Sequence, residues 1–396
     1  MSEWKMCRIG DLCDTISETY KRTDNMVVLI NTSDVLEGEV LNHTPVPNEN
    51  LKGQFKKTFQ RNDILYSEIR PANKRFAFID FDDTSRYIAS TKLMVLRPRK
   101  NVVLPLFLYA ILKSRDVIEE LQHLAETRSG TFPQITFSSE LAPMEIMVPD
   151  FTTQKQIVSI LSSIEDRIRL NTAINENLEQ QAQTLFKAWF VDFEPFGGAM
   201  PDDWQDISVY DLADYINGAA FKKAEYGDSG LPIIKIAELK SGITDSTQYC
   251  CVRKDDKYYI DDRDILFSWS GNPDTSIDTF LWSRGKAILN QHTFRVVSKY
   301  NAPAFTYFLL KYLKPQFAHI ASNKQTTGLG HVTVADLKRL QFCSNIATIN
   351  EFEVLAAPIF NAIFAIYKEN QHLAALRDTL LPKLMNSEID VSEVKV

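Results

Sequence analysis

The sequence predicts an α+β fold: two tandem mixed α/β globules in pseudo-twofold arrangement, joined by two long helices that form an antiparallel coiled coil. Three observations predict it. The chain repeats itself at an offset of about 200 residues, each copy ends in a heptad-spaced stretch, and each copy mixes short apolar runs with helical periodicity.

The repeat is legible at four places. "WKMCRIGDLCDTI" from Trp4 aligns with "WQDISVYDLADYI" from Trp204, matching Trp4 to Trp204, Ile9 to Val209, Asp11 to Asp211, Leu12 to Leu212 and Ile16 to Ile216 at one offset of 200. "NDILYS" from Asn62 matches "RDILFS" from Arg263 at 201, and "FLYAILKS" from Phe107 matches "FTYFLLKY" from Phe305 at 198. "SGTFPQITFSSEL" from Ser129 resembles "TTGLGHVTVADL" from Thr326, each a glycine-containing loop ahead of an expected Ile-Thr or Val-Thr strand start.

Within the first copy "NMVVLINTSDV", "RFAFIDF", "KLMVLRP" and "MEIMVP" are predicted strands; in the second, "LPIIKIAEL", "AILNQHTFRVV" and "LQFC" are. "PLFLYAILKSRDVIEELQHL" and "PAFTYFLLKYLKPQFAHI" carry apolar residues at helical spacing.

Each copy then turns into a long helix. Ile157, Leu161, Ile164, Ile168, Asn171, Asn175, Leu178, Ala182 and Leu185 alternate spacings of four and three, which is a heptad seam. Phe352, Leu355, Ile359, Ala362, Ile366, Glu369, Leu373, Leu376 and Leu380 do the same in the second copy. A narrow apolar stripe must be buried against something, and the other helix has the matching period. The expected division is residues 1–151, a globule; 152–192, a first spacer helix; 193–346, a second globule; and 347–396, a second spacer helix with a C-terminal tail.

The run "TLFKAWFVDFEPF", Thr184 to Phe196, sits where the first helix ends, and Leu185 closes its seam. Trp189, Phe190, Phe193 and Phe196 are expected to wedge that helix end against a globule or a docked partner, with packing inside the chain favoured.

Composition sets the outer bounds. The chain has 396 residues, 44% of them hydrophobic, enough for more than one core. Its longest apolar run, "LAAPIF" and then "AIFAIY" beyond Asn361, reads as too interrupted to cross a bilayer, and the N-terminus shows no apolar signal core, so a cytoplasmic protein is expected. Five cysteines form no CxxC pair and six histidines no ligand spacing, so neither a disulfide framework nor a metal site is expected. The net charge of −7 hides a segregated patch: twelve Lys and Arg stand against five acids between Leu51 and Lys100, a local excess of seven.

The order of globule, "SGTFPQITF", long helix, "LFKAWFVDF", second globule, second helix and "LLPKLMNSEIDV" resembles the specificity subunit of type I restriction-modification enzymes over the whole chain. The resemblance implies that each globule is a target recognition domain reading one half of a split double-stranded DNA target, with the helices as spacer and docking region. It implies as partners two methyltransferase subunits, which carry the S-adenosylmethionine site and methylate adenine on either strand. Two motor-nuclease subunits using ATP and Mg join where the complex restricts. It implies that this chain is not itself catalytic. The spacer and docking set is then Ile157, Leu161, Ile164, Ile168, Leu178, Leu185, Trp189, Phe193, Leu355, Ile359, Ile366, Leu373, Leu376 and Leu380. Thr153 to Trp189 is 37 residues. At ~1.5 Å per residue that is roughly 55 Å, or about 16 base pairs as an outer limit on half-site separation.

Cations hold phosphates or guanine edges, and Asn pairs with adenine. On that chemistry the DNA-contact candidates of the first globule are Lys52, Lys56, Lys57, Arg61, Arg70, Lys74, Arg75 and Lys92 with Ser67 and Asn73, and, in the later loop, Arg128, Ser129, Thr131 and Gln134. In the second globule the aligned stretch "FSWSGNPDTSIDTF" offers Ser268, Ser270 and Asn272 in place of cations. The loop "SNKQTTGLGH" adds Lys324, Gln325, Thr326, Thr327 and His331.

Enzyme readings find little footing. "GNPDTS" at Gly271 lacks the second proline and the aromatic of an amino-methyltransferase box, and no Walker GxxxxGK[ST] exists. The residues alone leave one alternative open: a coiled-coil adaptor whose duplicated globules bind proteins.

Overall fold

The computed structural model describes residues 4–21, 24–49, 51, 53–324 and 329–394. The chain forms two compact units, one of residues 1–166 with 375–396, the other of residues 167–374. Both unit boundaries fall inside the long helices Phe151–Phe190 and Ile346–Met385, each 40 residues, so each unit contains part of both.

In the first unit a four-stranded antiparallel sheet has the order Cys13–Ile16, Leu93–Pro98, Ile64–Ser67, Phe76–Phe78. It is covered on both faces. Ile64, Tyr66, Met94 and Leu96 face a core shared with helices Pro105–Leu112 and Arg115–Arg128, while Leu65, Leu93 and Val95 face a second core with Ile30, Phe59 and Ala89. This explains why "DILYS" and "KLMVLRP" are continuously apolar rather than alternating. A second sheet places Met26–Ile30 parallel to Tyr87–Ser90, and Lys5–Arg8 pairs with Glu145–Val148.

The second unit repeats the plan: Ala213–Asn217, Thr293–Ser298, Ile265–Ser268, Asp278–Leu281 in one sheet, Leu231–Ile234 parallel to Ala287–Leu289 in another, and Gln205–Ser208 against Gln341–Ser344. Several predicted strands are shorter than expected: "NMVVLINTSDV" is a strand only over Met26–Ile30, and "AILNQHTFRVV" splits at Asn290–His292 into Ala287–Leu289 and Thr293–Ser298, in different sheets. "LPIIKIAEL" is a strand only to Ile234, because Glu238 accepts from the Lys235 N–H at 3.0 Å and starts the short helix Ile236–Ser241.

The copies differ at a buried acid. Asp63, 1% exposed, takes a bidentate pair from Arg97 Nε at 2.8 Å and Nη2 at 2.7 Å. Its counterpart Asp264 has no such clamp, since Arg295 Nη1 donates to the Tyr259 carbonyl at 3.1 Å; burial pushes the Asp264 carboxyl up, against the pull of Arg295.

The long helices start alike. Asp150 accepts from the N–H groups of Thr152 and Thr153 at 2.9 and 3.0 Å, and Asn345 accepts from Thr348 at 2.7 Å. Inside the first unit Ile157 and Leu161 share a core with Leu381 and Leu384. Inside the second unit Arg167 pairs with Glu369, Asn171 with Asn370, and Asn175 Nδ2 reaches the Ile363 carbonyl, so the helices run antiparallel there.

The second seam differs from expectation by one residue. The buried positions are Phe352, Ala356, Phe360, Ile363, Leu381 and Leu384, whereas Leu355 is 49% and Leu376 40% exposed, and Ile359, Ile366, Leu373 and Leu380 are only half-buried. In "VLAAPIFNAIF" two adjacent rows are apolar, so periodicity alone fits both. Tyr307 and Phe308 choose between them by packing on Phe360, which lies only in the buried row. Pro358 lies on the exposed side, where water can satisfy the Val354 carbonyl it leaves without a helical donor. The first seam needs no shift: Ile157, Leu161 and Ile164 are buried, and Ile168, Leu178 and Leu185 half-buried.

The apolar runs either side of Asn361 are also longer in effect than expected, because a single polar residue does not break a helix. Among the described residues one helix, Ile346–Met385, is long and apolar enough to cross a membrane by length and composition, with a window of mean hydropathy 1.4. Its apolar excess is used in the core of the second unit, where Ile349, Phe352, Ala356, Phe360 and Ile363 are buried.

The aromatic run packs within the second unit. Phe186 and Phe190 are buried among Phe305, Phe342 and Phe352, Trp189 packs on Phe196 and Phe352, and Phe193 meets the Trp204 ring at 5.6 Å.

Candidate nucleic-acid interface

A strand that ends at a bridge between two loops defines the candidate surface, and it occurs once in each unit. After Ile64–Ser67 the chain turns outward, and Ile69 forms an isolated antiparallel bridge with Gln134. After Ile265–Ser268, Ser270 pairs with His331 in the same sense. The neighbouring hydrogen bonds repeat too: the Ile135 N–H donates to the Glu68 carbonyl and the Val332 N–H to the Trp269 carbonyl, both at 2.8 Å.

Each second loop is pinned at its far side by a threonine box. Thr136 accepts from Ser139 N–H and its own N–H donates to Glu140 at 2.6 Å; Thr333 accepts from Asp336 N–H and donates back to Asp336 at 2.7 Å. A cation from the preceding helix end seals each box, Arg128 on Glu140 at 3.2 Å and Lys324 on Asp336 at 2.5 Å. Burial resists ionisation of Asp336, but Lys324 and Thr333 outweigh it and hold the carboxyl below its ordinary value of 3.8.

The first loop of unit one is preorganised. Arg70 and Lys74 both adopt left-handed backbone, φ 46° and 52°, flanking the turn Pro71–Asn73, whose Pro71 is buried. Non-glycine residues held this way cost on the order of 1 kcal/mol or more each, and such strain gathers at functional loops. Arg70 and Asn73 are exposed, as is Lys56, and none of these side chains has a hydrogen-bond or ionic partner among the described residues.

The other candidates sort by what they touch. Arg61 pairs with Asp82 at 2.7 Å and Lys74 with Glu37 at 3.3 Å; these solvent-screened pairs are worth about 0–1 kcal/mol and exchange readily for a phosphate. Lys92 lies 3.3 Å from both Glu68 and Gln134, tying one loop to the other. Lys57 Nζ donates to the carbonyls of Thr91 and Leu93 at 3.0 and 2.8 Å, and burial lowers its pKa; Arg75 donates to the carbonyls of Ser33 and Val35. Lys57, Arg75, Arg128 and Lys324 thus each have partners within the fold. Ser67 and Ser268, at 2% and 0% exposure, are buried in the sheet.

Ser129 Oγ accepts from the Phe132 N–H, and Thr131 is exposed beside it. In unit two Asn272 Oδ1 is spent on the N–H groups of Asp274 and Thr275, which shapes the loop, while Ser270 and His331 sit half-exposed at the bridge. Lys52, Gln325, Thr326 and Thr327 lie outside the described residues.

Sequence reasoning missed Lys240. The loop Gly271–Ser276 carries no cation of its own, and Lys240 on the short helix Ile236–Ser241 brings one, its Nζ 3.3 Å from Ser276 Oγ. In unit one the same two elements are joined from the other side, by Arg75 of the loop. Only the pairing of helix with loop reveals this, because 36 residues separate Lys240 from Ser276. Among the described residues no group of three His, Cys, Asp or Glu side chains is placed to hold a metal ion.

Fold and loops together define a duplicated α+β recognition protein. Residues 1–180 and 201–343 match the family "Type I restriction modification DNA specificity domain", and the chain belongs to that family. It is a specificity subunit of a type I restriction-modification system, the chain that recognises the DNA target. It is 31% identical to the type I restriction enzyme HindI specificity subunit of Haemophilus influenzae, covering 98% of this chain and 100% of that one. It is 26% identical to the MjaIX specificity subunit of Methanocaldococcus jannaschii over 74% of this chain and 71% of that one. The S subunit of a type I system from M. genitalium shares the fold, with a TM-score of 0.53 at 15% identity over 97% of this chain and 96% of that structure.

Proposed function

We propose that this subunit is itself non-catalytic and reads a split duplex target, one half per unit, through the paired loops at residues 68–75 with 128–134 and 269–276 with 329–331. The observation that carries the reading is the duplicated bridge, Ile69 with Gln134 and Ser270 with His331, which holds two equivalent loop pairs whose side chains differ. Equivalent frames with different side chains suit two half-sites of different sequence. Arg70, Asn73 and Lys56 are the contacts of the first half, Ser270, His331 and Lys240 those of the second.

Its partners in this reading are two methyltransferase subunits, which bring S-adenosylmethionine and modify adenine, and two motor-nuclease subunits with ATP and Mg where the complex restricts. Exposed apolar residues of the long helices, Leu355 in the second unit and Leu376 in the first, are each offered to them. The protein-binding adaptor reading gains no comparable support, since the first unit's loop carries the exposed cation Arg70 and the second unit's loop has Lys240 beside it. Mapping methylated adenines across a genome with and without this chain tests the proposal and returns the target. If the methylated sites do not depend on the chain, the proposal fails.

A further inference from the structure

Two exposed apolar side chains occupy the same place in the two units. Phe132 is 50% exposed and Leu329 59%. Each stands two residues before the bridging residue, Gln134 or His331, in the segment that leads into the bridge. The residue between is turned inward in both: Pro133 is buried and its carbonyl accepts from the Arg70 N–H at 3.1 Å, while a side chain on Gly330 would collide with the Ala321 carbonyl at 2.3 Å. The frame therefore drives one neighbour into the protein and the other out.

A large apolar side chain held in water is unfavourable, by about 25 cal/mol for each Å² it leaves unburied. A solvated loop would replace it at no structural cost. Finding one at equivalent positions of two units, with different identity in each, points to a contact made there. In unit one this side chain lies beside the loop of Arg70, whose guanidinium has no partner among the described residues, and in unit two beside His331, so each is neighboured by groups suited to phosphates and base edges.

Resting on the target-reading role proposed above, we infer that Phe132 and Leu329 are apolar base contacts, one for each half of the DNA target, meeting thymine methyl groups or base faces inside the groove. Such a contact adds affinity for the correct bases and displaces no counterion. The difference in shape between Phe and Leu then contributes to the difference between the half-sites.

The experiment uses the full chain assembled with its methyltransferase subunits, and two duplexes: the target returned by methylation mapping and the same bases scrambled. Phe132→Ala and Leu329→Ala should each lower the preference for target over scrambled DNA by about tenfold, each relaxing only its own half-site, with no change in the slope of log affinity against log salt. Phe132→Leu should recover most of the loss. Arg70→Gln serves as the reference for the loops, losing affinity on both duplexes with a slope reduced by about one. If the alanine variants keep their preference while Arg70→Gln loses affinity, the base contact is wrong and the loop reading stands. If all three variants bind as the unaltered chain does, the loop reading falls with it. Loss of assembly with the methyltransferase in the alanine variants would make these residues a protein contact and overturn the inference.

Discussion

Asn171 Nδ2 donates to Asn370 Oδ1 at 2.9 Å, placing an amide pair where the two long helices of the second unit meet, with Asn171 only 1% exposed. A leucine pair would be the more stable filling. The amides instead penalise any slip of one helix along the other, because a shifted register leaves them buried and unpaired. Asn171→Ala should cost about 1–3 kcal/mol in urea unfolding. Asn171→Leu combined with Asn370→Leu should cost less than the two single changes together, a coupling read from a double-mutant cycle.

Phe186 is fully buried against five aromatic rings, those of Phe190, Phe305, Tyr312, Phe342 and Phe352. Phe186→Ala should destabilise the second unit by about 3–5 kcal/mol, whereas half-buried Trp189→Ala should cost less. Methylation mapping with Trp189→Ala should return unchanged bases in each half-site at a lower yield. A change in the bases themselves would contradict the packing role.

The Lys324–Asp336 pair predicts a pH response. The Asp336 carboxyl is held below 3.8 in the folded chain, against burial, by Lys324 and Thr333. A depressed carboxylate contributes stability that is present above its unfolded value and lost as pH falls through the folded one. Thermal stability should therefore decline below about pH 4, and Lys324→Gln should flatten that decline while leaving the curve near neutral pH lower throughout.

Lys240→Gln should weaken binding equally on target and scrambled duplexes and lower the salt slope by about one, as for a phosphate contact. Lys57→Gln should act differently, lowering thermal stability, because its ammonium serves the Thr91 and Leu93 carbonyls rather than DNA. Melting curves beside salt titrations separate the two.

Removing the helix caps tests the start of the long helices. Asp150→Ala and Asn345→Ala should each cost about 1 kcal/mol, and Asp150→Asn much less, measured by chemical unfolding.

The duplication, the two long helices and the first seam were legible in the linear chain, because each depends on periodicity or self-similarity, whereas short strands such as Cys13–Ile16 and Tyr87–Ser90 were not. "NDILYS" and "RDILFS" marked the repeat without being read as strands, and "QITF" and "HVTV", expected as strand starts, are threonine-capped helical turns, because Thr136 and Thr333 close onto Glu140 and Asp336. The segregated charge was legible too, but not its use. Twelve cations between Leu51 and Lys100 look alike in sequence, yet Arg97 clamps a buried acid, Lys57 caps carbonyls, and the Arg70 side chain has no partner among the described residues.

What the sequence alone determined is the architecture: two related α+β units, two long helices, and a family whose members specify DNA targets. Tertiary structure decided which of two adjacent apolar rows on Ile346–Met385 is buried, and which polar residues face outward. It also brought Lys240 to a loop far along the chain and left Phe132 and Leu329 exposed at matching positions ahead of the two bridges. The physical reason is the same throughout. Periodicity constrains the direction of a side chain only to within one helical step or one strand face, and the choice within that margin belongs to whatever packs against it.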